Sequence, residues 1–274
     1  MGAFFGSMSA LCIGLSDLFG RRVTLASNSV AASAVMQAVA VVTVVASLFV
    51  VAGDLIWVEM GLGAISGLGM GTGLACYYRG MTESSSAVVA PVVATLAAVV
   101  PYGYTIVTGT TPSVLALTGA LVAFLGLVMV TLGDQAPERM RVGLFWAVIS
   151  GLGYAVAQTV LVETTSDSGS WPGITQRLTA LGLMLVVARV IRVPVVVPKS
   201  LRRAGLFAGA FAGMASVFFL VGVARDAQPA VVTASMFPAV TVAIGWLFFR
   251  DHVARVQLAG VAAVLLGVVG VVAP

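Results

Sequence analysis

The chain has very little charge: 9% of its 274 residues are Asp, Glu, Lys or Arg, while 60% are apolar. That balance excludes a soluble domain, which would expose a very large apolar surface to water. The sequence has one histidine, His252, and two cysteines, Cys12 and Cys76. These are too few ligands for a zinc site. Ser66 in Ala64-Ile-Ser-Gly67 has no histidine within an apolar segment to activate it, which argues against an intramembrane enzyme. No glycine loop is followed by Lys-Ser or Lys-Thr, which argues against direct nucleotide-driven pumping. Both cysteines fall in apolar runs, where a free thiol behaves as a small hydrophobe. No disulfide, metal or cofactor is expected. No basic residue precedes the first apolar run, so that run reads as a first helix and not as a cleaved signal.

Long apolar runs dominate the rest of the sequence. Spans of about 20 apolar residues suit the hydrocarbon core of a bilayer. Ten fit here: 3–24, 30–51, 55–77, 86–108 and 112–132, then 143–163, 171–191, 203–224, 229–249 and 254–273. The punctuation between them is short, as in Thr108-Gly-Thr-Thr-Pro112, Gly133-Asp-Gln-Ala-Pro137 and Thr164-Thr-Ser-Asp-Ser-Gly169. No linker is long enough to hold a soluble domain.

The sequence also repeats itself. Gly119-Ala-Leu-Val-Ala-Phe-Leu-Gly-Leu-Val128 returns 141 positions later as Gly260-Val-Ala-Ala-Val-Leu-Leu-Gly-Val-Val269. Gly2, Ser9 and Leu11 match Gly143, Ser150 and Leu152 at the same offset, and Gly63, Gly67, Gly71 and Gly80 match Gly205, Gly209, Gly213 and Gly222 one residue further out. The expected fold is an all-α integral membrane protein whose ten helices form two five-helix repeats, 1–134 and 135–274. An odd number of spans per repeat requires the second copy to enter the membrane from the opposite side. Such inverted pairs support alternating access, with the substrate near the midplane between the repeats.

Charge tests that orientation. Loops after odd-numbered helices hold Arg21, Arg22, Arg79, Arg139, Arg141, Arg189, Arg192, Lys199, Arg202, Arg203, Arg250 and Arg255; loops after even-numbered helices hold only Arg225. Cytoplasmic loops retain Lys and Arg, so the odd-numbered loops are expected in the cytoplasm and both termini outside. The formal charge of +4 then reflects topology and anionic lipid headgroups, with no nucleic-acid partner expected. A strong preference for arginine over the single Lys199 fits GC-rich coding, and with it the inner membrane of a bacterium.

Phe248-Phe-Arg-Asp251 and Gln257-Leu-Ala-Gly260 resemble the junction of the last two helices in the drug/metabolite transporter superfamily, EamA type. Gly14-Leu-Ser-Asp17 and Phe19-Gly-Arg-Arg22 are similar to the end of the first helix in that family. In the first half Thr110 stands where the family has an acidic residue. The resemblance covers the whole chain and implies a secondary transporter that exports or exchanges small metabolites, amino acids or drugs. It names no substrate. A flippase for a lipid-linked carrier is the alternative.

Several residues are candidates for a transport pathway. Arg177 is the one basic residue well inside a span, a costly position unless it faces a cavity or lifts its guanidinium to the surface. A cavity-facing arginine would bind a carboxylate or phosphate bidentately. Gln37 is its approximate repeat counterpart. Asp17 matches Gln158; it could exchange a proton with each transport cycle or form a helical ion pair with Arg21, four residues on. Tyr77, Tyr78, Tyr102 and Tyr154 could offer rings and hydroxyls to a substrate, or simply pack. The ladders Gly63, Gly67, Gly71 and Gly205, Gly209, Gly213 each place glycines on one helix face, for tight packing or for sliding. Pro91, Pro101, Pro229 and Pro238 are expected to interrupt or open helices 4 and 9, making Pro91 and Pro238 hinge candidates.

Overall fold

The computed structural model describes residues 1–109, 113–131 and 137–272 and contains ten α-helices with no strand among them. They are α1 (Gly2–Ala26), α2 (Ser29–Ala46), α3 (Trp57–Glu83), α4 (Ser86–Val107) and α5 (Val114–Thr131), then α6 (Pro137–Val162), α7 (Trp171–Val190), α8 (Arg202–Ala234), α9 (Phe237–Phe249) and α10 (Arg255–Val272). Residues 110–112 and 132–136, with Thr110 and the expected boundary between the halves, lie outside the described residues, as does the Tyr102 side chain.

Local chemistry sets the helix ends. The Asn28 side chain accepts a 2.8 Å bond from the Ala31 N–H and caps α2. Pro172 and Pro238 occupy the first turns of α7 and α9, where a missing N–H leaves no bond unmade. Arg250 ends α9 in the left-handed region at φ 53°, and the Asp251 N–H then reaches back to the Gly245 carbonyl.

The structure differs from the expected ninth span. Instead of one helix over 229–249, helical turns run on from α8 to Ala234 across a kink at Asp226 (φ −165°, ψ 91°), and the chain breaks again before α9 begins at Phe237. Pro238 cannot donate a backbone bond, so α9 starts there and does not continue the preceding turns. By contrast, α4 runs through Pro91 and Pro101 without interruption.

Among the described residues, five helices are long and apolar enough to cross a bilayer: Gly2–Ala26, Ser29–Phe49 counting a short 3₁₀ turn, Pro137–Leu161, Trp171–Val190 and Lys199–Gly222. Segments of α4, α5, α9 and α10 are apolar but shorter. Large apolar side chains also cover the outside of the bundle, among them Leu121, Phe124, Phe145, Val186, Trp246 and Leu266. Exposed apolar side chains in this number are compatible with a lipid environment.

The helices pack in matched pairs. α1 lies on α8 as α6 lies on α3; α2 lies on α8 as α7 lies on α3; α1 meets α9 as α6 meets α4. The pairs α2 with α7 and α5 with α10 match themselves. The match reaches single hydrogen bonds. Ser9 Oγ donates to the Ala215 carbonyl, and Ser150 Oγ, its repeat counterpart, donates to the Gly73 carbonyl. Glycines make these seams possible: a Cβ on Gly153 would lie 2.8 Å from the Gly69 carbonyl, and one on Gly126 would lie 2.7 Å from the Gly260 carbonyl. Both ladders face a partner helix. Gly63, Gly67 and Gly71 lie against α7, and Gly205, Gly209 and Gly213 lie against α2.

The match is incomplete in one respect. α1, α2 and α3 touch one another, whereas α6 with α7, α6 with α8 and α7 with α8 meet slightly or not at all.

Candidate functional site

The centre of the bundle holds a cavity of about 360 Å³, lined from α1, α2, α3, α4, α6, α7, α8, α9 and α10. Its wall is largely apolar, from Ile13, Met36, Met70, Phe219 and Phe237, with polar groups at separate points. The break between α8 and α9 adjoins it, since Ala234, Ser235 and Phe237 are all on the wall.

Arg177 is one pole. The residue is 7% exposed, and its guanidinium donates from Nη1 to Gln37 Oε1 at 2.9 Å and from Nη2 to Ser216 Oγ at 2.7 Å. Both partners are neutral, and no carboxylate lies within ion-pair distance among the described residues. A guanidinium has five N–H donors, so it retains capacity toward the cavity. The long stem does not lift the charge to the surface.

Asp17 is the second pole and is 5% exposed. Its Oδ2 accepts from Tyr77 Oη at 2.9 Å and from Thr241 Oγ1 at 2.6 Å. The bond that its spacing suggests, to Arg21 one turn on, does not form. Arg21 instead binds Asp251 bidentately, Nη1 to Oδ2 at 2.7 Å and Nη2 to Oδ1 at 2.9 Å. Asp251 Oδ2 also accepts from the Ser86 N–H and hydroxyl, and the Arg21 guanidinium lies 4.3 Å from the centre of the Phe249 ring. This cluster ties α1, α4 and the turn between α9 and α10 beneath the cavity floor. Sequence spacing gave no sign of Asp251 as Arg21's partner.

Of the other sequence candidates, Tyr77, Tyr154 and Gln158 line the cavity with Asp17 and Arg177, while Gln37 is fully buried behind Arg177. Tyr78 is elsewhere. It packs fully buried in the core, its hydroxyl 3.0 Å from Met36 Sδ, and does not line the cavity. Ser216 and Thr241, which hold the two poles, have no distinguishing sequence signal; single hydroxyls in apolar helices are common.

No protein-family model matches the sequence, and no curated protein matches it. Among solved structures the chain is similar to a crystal structure of a protein with a TM-score of 0.61 and 17% identity, over 96% of this chain and 97% of that one. At that identity the likeness speaks for the fold alone.

Proposed function

We propose that this chain is a secondary transporter of the inner membrane that moves a small organic substrate through the central cavity by alternating access. The carrying observation is Arg177: a buried cation with no counter-ion among the described residues, on the wall of a cavity lined by both halves of the chain. A buried charge in an apolar bundle is unfavourable unless something neutralises it, and in a transporter the substrate does so. The matched packing supports two inverted five-helix repeats, and the resemblance to drug/metabolite transporters points the same way. Helix ends rich in Arg then face the cytoplasm.

The departure from matched packing has a use in this reading. α1, α2 and α3 touch one another, while their counterparts α6, α7 and α8 meet slightly at most, with the Arg177–Ser216 bond joining α7 to α8. On this reading the cavity is closed on the Arg21 side and opens toward the end where Gln158 lies on its wall. In the alternate state the two sets exchange roles. Coupling to protons through Asp17 belongs to the same reading, because that carboxylate lines the pathway.

Thiol labelling tests the proposal. In a background lacking Cys12 and Cys76, Gln158→Cys should react with a membrane-impermeant maleimide from one side, and Thr24→Cys, buried here, should react from the other when the alternate state forms. If Thr24→Cys stayed unreactive in every condition while Gln158→Cys reacted, the cavity would be static and the transport reading would fail.

A further inference from the structure

The two poles are well separated. Asp17 follows Ser16, whose hydroxyl donates to the Ala208 carbonyl on α8, while Arg177 binds Ser216 on the same helix. Ala208 and Ser216 are eight residues apart on α8. At ~1.5 Å per residue their levels differ by ~12 Å. No ion pair joins Asp17 to Arg177; the ion pairs among the described residues are Arg21 with Asp251 and Arg79 with Glu83. Both donors to Asp17 use Oδ2, and Oδ1 accepts no bond among the described residues. Apolar groups stand on the wall between the poles, Ile13 one turn along α1 from Asp17 and Ala212 one turn along α8 from Ser216, with the Tyr154 side chain on the same wall.

A molecule touching both poles gives up about 3 Å to a hydrogen bond at each end, which leaves roughly 6 Å between its own charged groups. An α-amino acid carries both charges on one carbon and cannot reach both poles. A simple carboxylate serves only Arg177, and a simple amine serves only Asp17. Resting on the transport reading above, we propose that the cavity takes an ω-amino acid: a carboxylate on Arg177 and a primary ammonium on Asp17, joined by about four methylene groups along the apolar wall.

Four probes of one chain length test this against the purified protein in detergent by calorimetry: 5-aminopentanoate, its isomer norvaline, pentanoate and pentylamine. The isomers share every atom and differ in where the ammonium sits. We expect 5-aminopentanoate to bind about tenfold or more tightly than each of the others. Arg177→Gln should remove that advantage over pentylamine, and Asp17→Asn should remove it over pentanoate. The comparison within the unaltered protein stands even if a variant misfolds. Equal binding of norvaline or pentanoate would overturn the proposal, and so would no binding of 5-aminopentanoate. None of these results needs transport, so they leave the labelling test of alternating access to be judged separately.

Discussion

If the chain works by alternating access as proposed, replacing Arg21 with glutamine should open the bundle at the Arg21–Asp251 end. The ion pair is almost dry, with side chains 8% and 7% exposed, and bidentate at 2.7 and 2.9 Å. Removing one member of a buried pair costs about 3 to 5 kcal/mol because the other is left unneutralised. Asp251 keeps two donors from Ser86, at 3.1 and 2.8 Å, which offsets part of that loss. At about 1.5 kcal/mol each for hydrogen bonds to a charged group, these two offset about 3 kcal/mol and leave a net loss of up to about 2 kcal/mol. In a state open at this end, α1 must part from α4 and from the turn between α9 and α10, so the pair stabilises the closed state alone. The open fraction should then rise by up to roughly 30-fold, at about 1.4 kcal/mol per factor of ten. Thr24→Cys is a suitable reporter: it is 7% exposed, and its hydroxyl bonds only its own helix, to the Gly20 carbonyl. Its labelling rate should rise by that order while labelling of Gln158→Cys falls. Asp251→Asn should act alike, and the double variant should exceed neither single by much, because both remove the same interaction. Unchanged labelling at both reporters in a folded Arg21→Gln protein would refute the reasoning, and additive effects would show that the two residues act independently.

Further outcomes follow from packing and burial. A Cβ on Gly209 would lie 2.7 Å from the Met36 carbonyl and 3.0 Å from Val39 Cγ1, so Gly209→Leu should separate α8 from α2 and sharply lower the melting temperature in detergent, whereas Gly61→Ala, with nothing within 4 Å, should change it little. Replacing Gln37 by Leu together with Arg177 by Met removes a buried cation and its partner; this pair should raise the melting temperature while abolishing binding of 5-aminopentanoate, and a lowered melting temperature would mean that Arg177 is structural. Thr241→Val should weaken ammonium recognition without affecting a carboxylate: it removes a donor that orients Asp17, so pentylamine binding should fall and pentanoate binding should not.

How far the sequence revealed this molecule depends on which property each feature rests on. Most helix positions were legible because each is a long apolar run bounded by short polar punctuation. The kink at Asp226 and the break after Ala234 were not, because Asp226 reads as part of an ordinary loop before a ninth span that Pro229 opens, and nothing in Ala234-Ser-Met236 separates a broken helix from a continuous one. Gln37 and Arg177 were linked through repeat register, and they bond because α2 and α7 are counterparts that also pack on each other. Register between counterparts indicates contact only for such self-matched pairs. Asp17 and Gln158 share a register too, yet they sit on α1 and α6, which belong to different seams, and each borders the cavity with no bond between them.

Asp17 and Arg21 show the complementary limit. Their spacing suits an ion pair on an isolated helix, where such a pair contributes only about 0.2 to 0.5 kcal/mol. Asp251 offers Arg21 two parallel charge-assisted bonds in a nearly dry setting, and Tyr77 with Thr241 offers Asp17 two hydroxyl donors. The tertiary partners win on magnitude. Under the proposed function, Arg21 acts as a latch and Asp17, whose Oδ1 accepts no bond among the described residues, as a binding group a single turn away on the same helix. A ligand ammonium on Asp17 would therefore act on the same turn of α1 that must move when the latch opens. Binding and opening are mechanically adjacent, and adding 5-aminopentanoate should change the Thr24→Cys labelling rate in the unlatched and latched proteins by different factors. Equal factors in the two would mean that ligand and latch act independently.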